Sequence, residues 1–291
     1  MPLNPSVKLD FARLPDFEVN RMDEKIFKKF CAIAYEKAGI NLKEGKEALV
    51  SARVSKRMRT LKIEDIREYM HFLENDESGT ELVHFLDAIS TNFTHFYREK
   101  DHFEYLETKI KEWLSSGQKR FRIWSAASSS GEEPYSIIMT MLDLLEGQSC
   151  DFKLLATDIS TKILSRAING IYETERIEPV PKAQRNKYML KLKSDSEEDG
   201  VIYQMNDQAK KNVVFKRLNL SQPPFPMKGP MDVIFCRNVM IYFDREVRQR
   251  LVSEMERLLK PGGILMIGHT ETLAGIQSGL KIVSPSIYRK N

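Results

Sequence analysis

The stretch "IWSAASSSGEEPYS", Ile123–Ser136, sets one glycine and two adjacent carboxylates, Glu132 and Glu133, where a short apolar strand gives way to a helix. Strand, small-residue turn and helix start are the outline of a nucleotide site, in which backbone N–H groups at a helix N-terminus face the ligand. A dinucleotide turn needs the glycines of G-x-G-x-x-G so that the backbone can approach a pyrophosphate. Only one is present here. Two carboxylates suit the positive end of a helix dipole but repel phosphates, and they favour a ligand that brings positive charge and hydroxyl donors. S-adenosylmethionine, with its ammonium, sulfonium and ribose hydroxyls, is such a ligand; a bare helix-capping role for the pair is the alternative. A further acid, Asp158 in "LLATDIS", ends the next strand after one intervening helix. That is where such folds place the carboxylate that accepts both ribose hydroxyls.

The elements that must position these residues are legible as two regions. From about Asp23 to Leu114 the apolar spacing is helical. Ile26, Phe30, Ile33 and Ala34 follow Asp23 as N-cap and precede Gly39 as stop, and Val50, Val54, Met58 and Leu61 mark a second helix. Ile66, Met70 and Leu73 mark a third, Leu82, Phe85, Leu86 and Ile89 a fourth, and Phe103, Leu106, Ile110 and Trp113 a fifth. From Arg120 onward, "FRIWSA", "FKLLATDI", "VVFKRLNL", "MDVIFCRN" and "GILMIGHT" read as strands buried on both faces, most of them separated by helices. The end, "LKIVSPSIYRKN", reads as a strand, a turn and an antiparallel edge strand, and "LKLKSDSEEDGVIYQM" as an inserted acidic-tipped hairpin. The expected fold is α/β: a small all-helical domain over 1–92, then a doubly wound, mostly parallel Rossmann-like sheet over 93–291. A small β-subdomain is inserted at about 173–214. Its ligand should sit beyond the carboxyl ends of the strands.

Composition narrows the function classes. The 291 residues, 42% hydrophobic and 30% charged, are those of a folded protein, and no apolar run nears the length of about 20 needed to span a bilayer. Charges and prolines occupy the N-terminus where a signal peptide needs an apolar core, so a cytoplasmic location is expected, without membrane insertion. Three cysteines without a CxxC and five scattered histidines suggest neither disulfides nor a metal site. Between Lys43 and Arg67, eight Lys and Arg stand against four Asp and Glu, an excess equal to the +4 of the whole chain. Lys46, Arg53, Lys56 and Arg57 lie along one side of the second helix, a candidate docking surface for an acidic partner. Nucleic acid is not expected, since no aromatic platforms interleave with these charges.

"TNFTHFYRE", "WSAASSSGEEPYS", "ATDIS", "VIFCRNVMIYFD" and "LLKPGGILMIGHTE", in this order, resemble the chemotaxis receptor methyltransferases, the CheR family, from about residue 23 to the C-terminus. The resemblance implies methyl transfer from S-adenosylmethionine to glutamate side chains on the receptor helix bundle, with S-adenosylhomocysteine as product and a monomeric enzyme. It implies cofactor contacts from Asn92, Thr94, Arg98, Glu133, Asp158, Asn219, Leu220, Cys236 and Arg237, with Arg98 and Tyr242 placing the methyl group and the incoming carboxylate. A methyltransferase of another substrate, or a non-catalytic S-adenosylmethionine-binding module, would share the cofactor residues. Some family members grip a receptor tail peptide through a compact glycine-containing loop of the β-subdomain. The longer acidic "LKLKSDSEEDG" departs from that pattern and predicts no measurable peptide binding.

Overall fold

Asp23, Asp65 and Ser160 each turn a side-chain oxygen onto a backbone N–H of the first turn that follows, the capping that starts a helix. The structure, a computed structural model, describes residues 22–90, 93–193 and 200–291. It divides into two units: one takes the described residues up to Ile33 with Leu42–Ile89, the other Ala34–Asn41 with Ser90–Asn291.

The helical unit draws on α1 (Glu24–Ala38), α2 (Glu47–Leu61), α3 (Ile66–Glu74) and α4 (Thr80–Ile89). Gly39 ends α1 with a left-handed φ of 68°, its N–H on the Tyr35 carbonyl. Phe30 is fully buried and stacks on Phe85 at 5.2 Å, and Val50, Val54 and Met58 bury the apolar side of α2, as their spacing predicts. Inside this unit Glu81 is buried. It accepts from Arg57 (Nε to Oε1 2.9 Å, Nη2 to Oε2 2.6 Å) and from the Tyr69 hydroxyl at 2.8 Å. This changes the reading of α2's basic side. Arg57 is a structural partner of a buried acid, and the half-buried Arg53 donates to the Ile89 carbonyl, whereas Lys46 and Lys56 are exposed.

The second unit is built on a seven-stranded sheet. After α5 (Lys100–Ser115) come β1 (Arg120–Ala126), α6 (Glu132–Leu144), β2 (Asp151–Asp158) and α7 (Thr161–Asn169). Next are β3 (Ile171–Glu173), α8 (Lys182–Tyr188), β4 (Met189–Lys193), β5 (Val201–Met205), α9 (Asp207–Lys210) and β6 (Val213–Arg217). The chain closes with β7 (Met231–Cys236), α10 (Arg245–Leu258), β8 (Leu259–Ile267), β9 (Leu280–Ser284) and β10 (Ile287–Lys290). The order is β6-β2-β1-β7-β8-β10-β9, parallel from β6 to β8. Period-two alternation explains the double winding. Ile123, Val233, Phe235, Ile264 and Met266 pack with Phe103, Leu106, Ile137 and Met141 of α5 and α6. Their neighbours Trp124, Ile234, Cys236, Leu265 and Ile267 pack with Val247, Leu251 and Met255 of α10.

Two expectations are corrected. β10 is not the edge strand: it lies between β8 and β9, with Ile287 buried and opposite both Met266 and Ser284, and β9 forms the border. β6 is not buried on both faces, because it borders the other side and Val214 stands 48% exposed. The insertion is a separate antiparallel sheet, β3-β5-β4, and the acidic tip expected between β4 and β5 lies outside the described residues. Among the described residues no helix is long and apolar enough to cross a membrane.

The Glu81 arrangement sets a first prediction. Replacing Arg57 by Glu leaves two acids where one was compensated, so Arg57→Glu should destabilise the protein by about 3 to 5 kcal/mol. Lys56→Glu, on the exposed side, should stay within about 0.5 kcal/mol. Urea melts of the two variants check the contrast, and equal midpoints would refute the structural assignment of Arg57.

Candidate functional site

Strand register brings the carboxyl ends of four parallel strands level. Ala126 stands beside Thr157 on one side and Cys236 on the other, and Cys236 stands beside Ile267. Between β1 and β7 the winding reverses direction, which makes this the crevice where open α/β sheets bind ligands.

The turn after β1 is held from below by Asp158. Its Oδ2 accepts the Ser129 N–H at 2.9 Å and its Oδ1 the Ser160 N–H at 3.0 Å, while the Ser128 N–H bonds the Thr157 carbonyl. Gly131 opens α6 with a φ of 99°, and a Cβ there would lie 2.7 Å from the Tyr172 hydroxyl and 3.0 Å from the Ala167 Cβ. Both the backbone and the space therefore demand the turn's single glycine.

The two carboxylates of that turn have separate fates. Glu132 is fully buried and taken by Arg176 and by the Ser130 hydroxyl at 2.6 Å, so it serves the fold. Glu133 accepts from Ser125 Oγ at 2.7 Å and from Arg237 Nη1 at 3.0 Å. Burial pushes its carboxyl above the usual range, with Arg237 and Ser125 opposing the rise.

Arg237 is the hub. Its side chain is 1% exposed, and besides Glu133 it binds Glu99 Oε2 at 2.9 Å and the carbonyl of Arg98, with its guanidinium 5.8 Å from the Phe103 ring centre. Those partners occupy the guanidinium, so a contact from this position to a cofactor falls to its backbone. Arg98 itself, 29% exposed, donates Nη1 to the Phe93 carbonyl at 3.0 Å. Tyr97 and Glu99 on either side of it have left-handed φ values of 55°, as do Ala127 and Ser129 in the turn and Asn238 after β7, at 63°, 49° and 58°. Non-glycine residues adopt such angles at a cost and cluster where surrounding structure dictates a geometry.

An acid does for Tyr242 what the guanidinium of Arg237 does for Arg98. Glu271 accepts the backbone N–H groups of Gly268 (2.6 Å), Met240 (2.7 Å) and Asn238 (2.8 Å), gathering "CRNVMIYF" onto the end of β8. Gly268 is required by the same closeness: a Cβ would meet the Asn238 amide at 2.4 Å. The half-buried Tyr242 ends a 3-10 turn, Met240–Tyr242, and its carbonyl accepts the Asn41 N–H at 2.8 Å. Sequence reasoning missed Glu99 and Glu271; the clue was their place inside "FYREK" and "GHTE", beside residues already singled out.

The remaining candidates are mixed. Asn219 turns its amide onto the Lys37 carbonyl (2.8 Å) and accepts from Ser221, leaving its backbone and the buried Leu220 toward the end of β6. Cys236 is fully buried with its thiol pushed well up by burial, and Thr94 is half-buried. Asn92 lies outside the described residues. His102 is completely buried, and desolvation, reinforced by Arg237, lowers it to about 4, so its ring is neutral at pH 7.

Residues 92–288 match the family description "CheR methyltransferase, SAM binding domain" and residues 25–90 match "CheR methyltransferase, all-alpha domain". The chain belongs to the CheR methyltransferase family. It is 41% identical over 266 residues to a chemotaxis protein methyltransferase of Borreliella burgdorferi, covering 89% of this chain and 92% of the relative. It is 34% identical to that of Escherichia coli (90% and 89% covered) and 35% identical to that of Klebsiella aerogenes (90% and 88%). This CheR-family methyltransferase thus carries a SAM-binding domain, and its crevice brings together the Gly131 turn, Glu133 in the first turn of α6 and Asp158 at the end of β2.

Removing the hub should expose its electrostatics. Arg237→Met leaves Glu99 and Glu133 as uncompensated buried acids, at a cost of about 3 to 5 kcal/mol near neutral pH. Without the arginine both folded-state pKa values rise above the unfolded value of about 4.3. An acid with a raised folded pKa destabilises when ionised in the unfolded chain, so the deficit should shrink as pH falls from 7.5 toward that value. Thermal melts across that range test this; a deficit that grows on acidification would contradict the assignment.

Proposed function

We propose that this methyltransferase transfers the methyl group of S-adenosylmethionine to glutamate side chains on the helix bundle of methyl-accepting chemotaxis receptors. The products are glutamate methyl esters and S-adenosylhomocysteine. One observation carries the reading: Glu133 and Asp158 sit at the crevice around a one-glycine turn, a set of acceptors for ammonium and hydroxyl groups with no cradle for phosphates. The names of the relatives, chemotaxis protein methyltransferases, support the choice of substrate.

When bound, S-adenosylmethionine supplies a sulfonium-linked methyl group, attacked by a carboxylate oxygen so that an O–C bond forms as the C–S bond breaks and its electron pair stays on sulfur. The acceptor glutamate, with a pKa of about 4.3, is ionised at neutral pH and needs no general base. The protein's task is therefore geometric. Asp158 would hold the ribose end and Glu133 the cationic end, while the guanidinium of Arg98 and the hydroxyl of Tyr242 would supply donors to orient the incoming carboxylate. Alignment of this kind supplies about 7 to 11 kcal/mol. Charge is neutralised as carboxylate meets sulfonium, which a site poor in water favours.

Receptor docking falls to the exposed basic groups of α2 and its two caps, Lys56 and Arg59 on the helix with Lys46 and Lys62 at its ends. Arg53 and Arg57 act behind them as supports. Attraction between exposed charged surfaces fades as the screening length drops from about 10 Å at 0.1 M salt to about 3 Å at 1 M.

Calorimetry should find S-adenosylmethionine bound 10- to 100-fold more weakly by Asp158→Ala, the loss of charge-assisted bonds worth about 1.5 to 3 kcal/mol. Unchanged affinity would remove Asp158 from the site. With labelled methyl donor and receptor fragments, Arg98→Ala and Tyr242→Phe should lower turnover at unaltered melting temperature. Wild-type turnover by Tyr242→Phe would deny its hydroxyl a role. Lys46→Glu with Lys56→Glu should cut receptor methylation, most clearly at low salt, while leaving S-adenosylmethionine affinity intact. Normal methylation of receptors by that double variant would refute docking through α2.

A further inference from the structure

His102 and His269, 167 positions apart, meet at the end of β8 with ring centres 5.0 Å apart and planes nearly perpendicular. One ligand atom of each, with a carboxylate oxygen of Glu99, falls in a group whose members all lie within 4.8 Å of one another. His102 is 0% exposed, yet neither ring nitrogen has a hydrogen-bond partner; its Nδ1 stands 3.6 Å from Glu99 Oε2, too far for one. Buried polar nitrogens are normally satisfied, and an orphan pair asks for an explanation such as an ion. Asp101 stands over the opening, its Oδ2 3.0 Å from His269 Nε2, with both side chains about half exposed to solvent.

We propose that Glu99, His102 and His269 form a binding site for one divalent transition-metal ion of the zinc class, tying the Arg98 segment to the loop after β8. The donor set decides the chemistry. Two imidazoles and a carboxylate suit zinc, nickel or cobalt, whereas magnesium and calcium take oxygen ligands. Ligand atoms about 2.1 Å from a tetrahedral metal lie about 3.4 Å apart, so the present spacing of up to 4.8 Å closes with shifts of about 1 Å shared between the side chains. Arg237 opposes a cation but does not exclude it. Its fork sits on Glu99 Oε2, while Oε1 receives the Asn238 amide at 3.2 Å with Arg98 Nε no nearer than 4.0 Å, and Asp101 adds a compensating charge at the mouth. Affinity should accordingly be micromolar, below that of a site with the same two imidazoles and carboxylate but no opposing arginine. His269 and Asp101 supply the route of entry from solvent. Both histidines and both acids belong to the sheet-bearing unit. The assignment does not depend on which substrate the methyltransferase uses.

The test titrates zinc or cobalt ions alone into the untagged full-length chain, by calorimetry and by the visible absorption of cobalt. One equivalent with micromolar affinity is expected, with an absorption band of nitrogen-ligated, low-coordinate cobalt. His269→Ala, at a half-exposed position, should fold normally and weaken binding at least tenfold. His102→Gln should weaken it similarly, and His84→Ala, a histidine of the helical unit, should leave it unchanged. No binding by the wild type at millimolar metal, or equal affinity in His269→Ala, would overturn the proposal.

Discussion

A guanidinium buried between two carboxylates is the constraint on which the crevice depends. Arg237 leaves the end of β7, reaches Glu133 on α6 and Glu99 ahead of α5, and takes the carbonyl of Arg98 as well. Each group would be expensive to bury alone, and the cost is met only when all are present in one geometry. Three segments distant in the chain are therefore fixed against each other by charge rather than by shape. The left-handed residues beside them are tolerable for the same reason, since the network over-determines their backbone.

Around that hub the sheet provides rigidity in two directions. Alternate residues of β1, β7 and β8 enter opposite cores, so none of these strands can slide by one residue without turning one core's side chains into the other. Level strand ends then follow from register alone, and with them the positions of Asp158, Cys236 and Gly268. Glu271 completes the frame by collecting three backbone amides from two loops onto one carboxylate.

The fold was largely legible in the sequence because its signals are local: caps at Asp23, period-3.6 stripes in the helices, and short apolar runs for the parallel strands. Asp158 and Glu133 were legible too, since a strand end and a helix start fix where a side chain stands. Pairing was harder to see. Nothing in the spacing separates Glu132 from its neighbour, yet Arg176 claims one and Arg237 the other. Arg57 looked like a surface charge until a buried acid from α4 was placed beside it. The border strand was misplaced for a similar reason: strand order is set by long-range hydrogen bonding, which composition does not encode. Histidines scattered along the chain likewise gave no hint that two of them meet.

The glycine turn is also gripped from the β-subdomain. The Tyr172 hydroxyl of β3 bonds the Ser130 carbonyl at 2.9 Å, and Arg176 just beyond β3 holds Glu132. The small antiparallel sheet and the turn consequently share one mechanical linkage. A ligand bound at the turn and one bound on the β-subdomain are thereby placed to influence each other, and by the reciprocity of linked equilibria any such coupling acts equally in both directions.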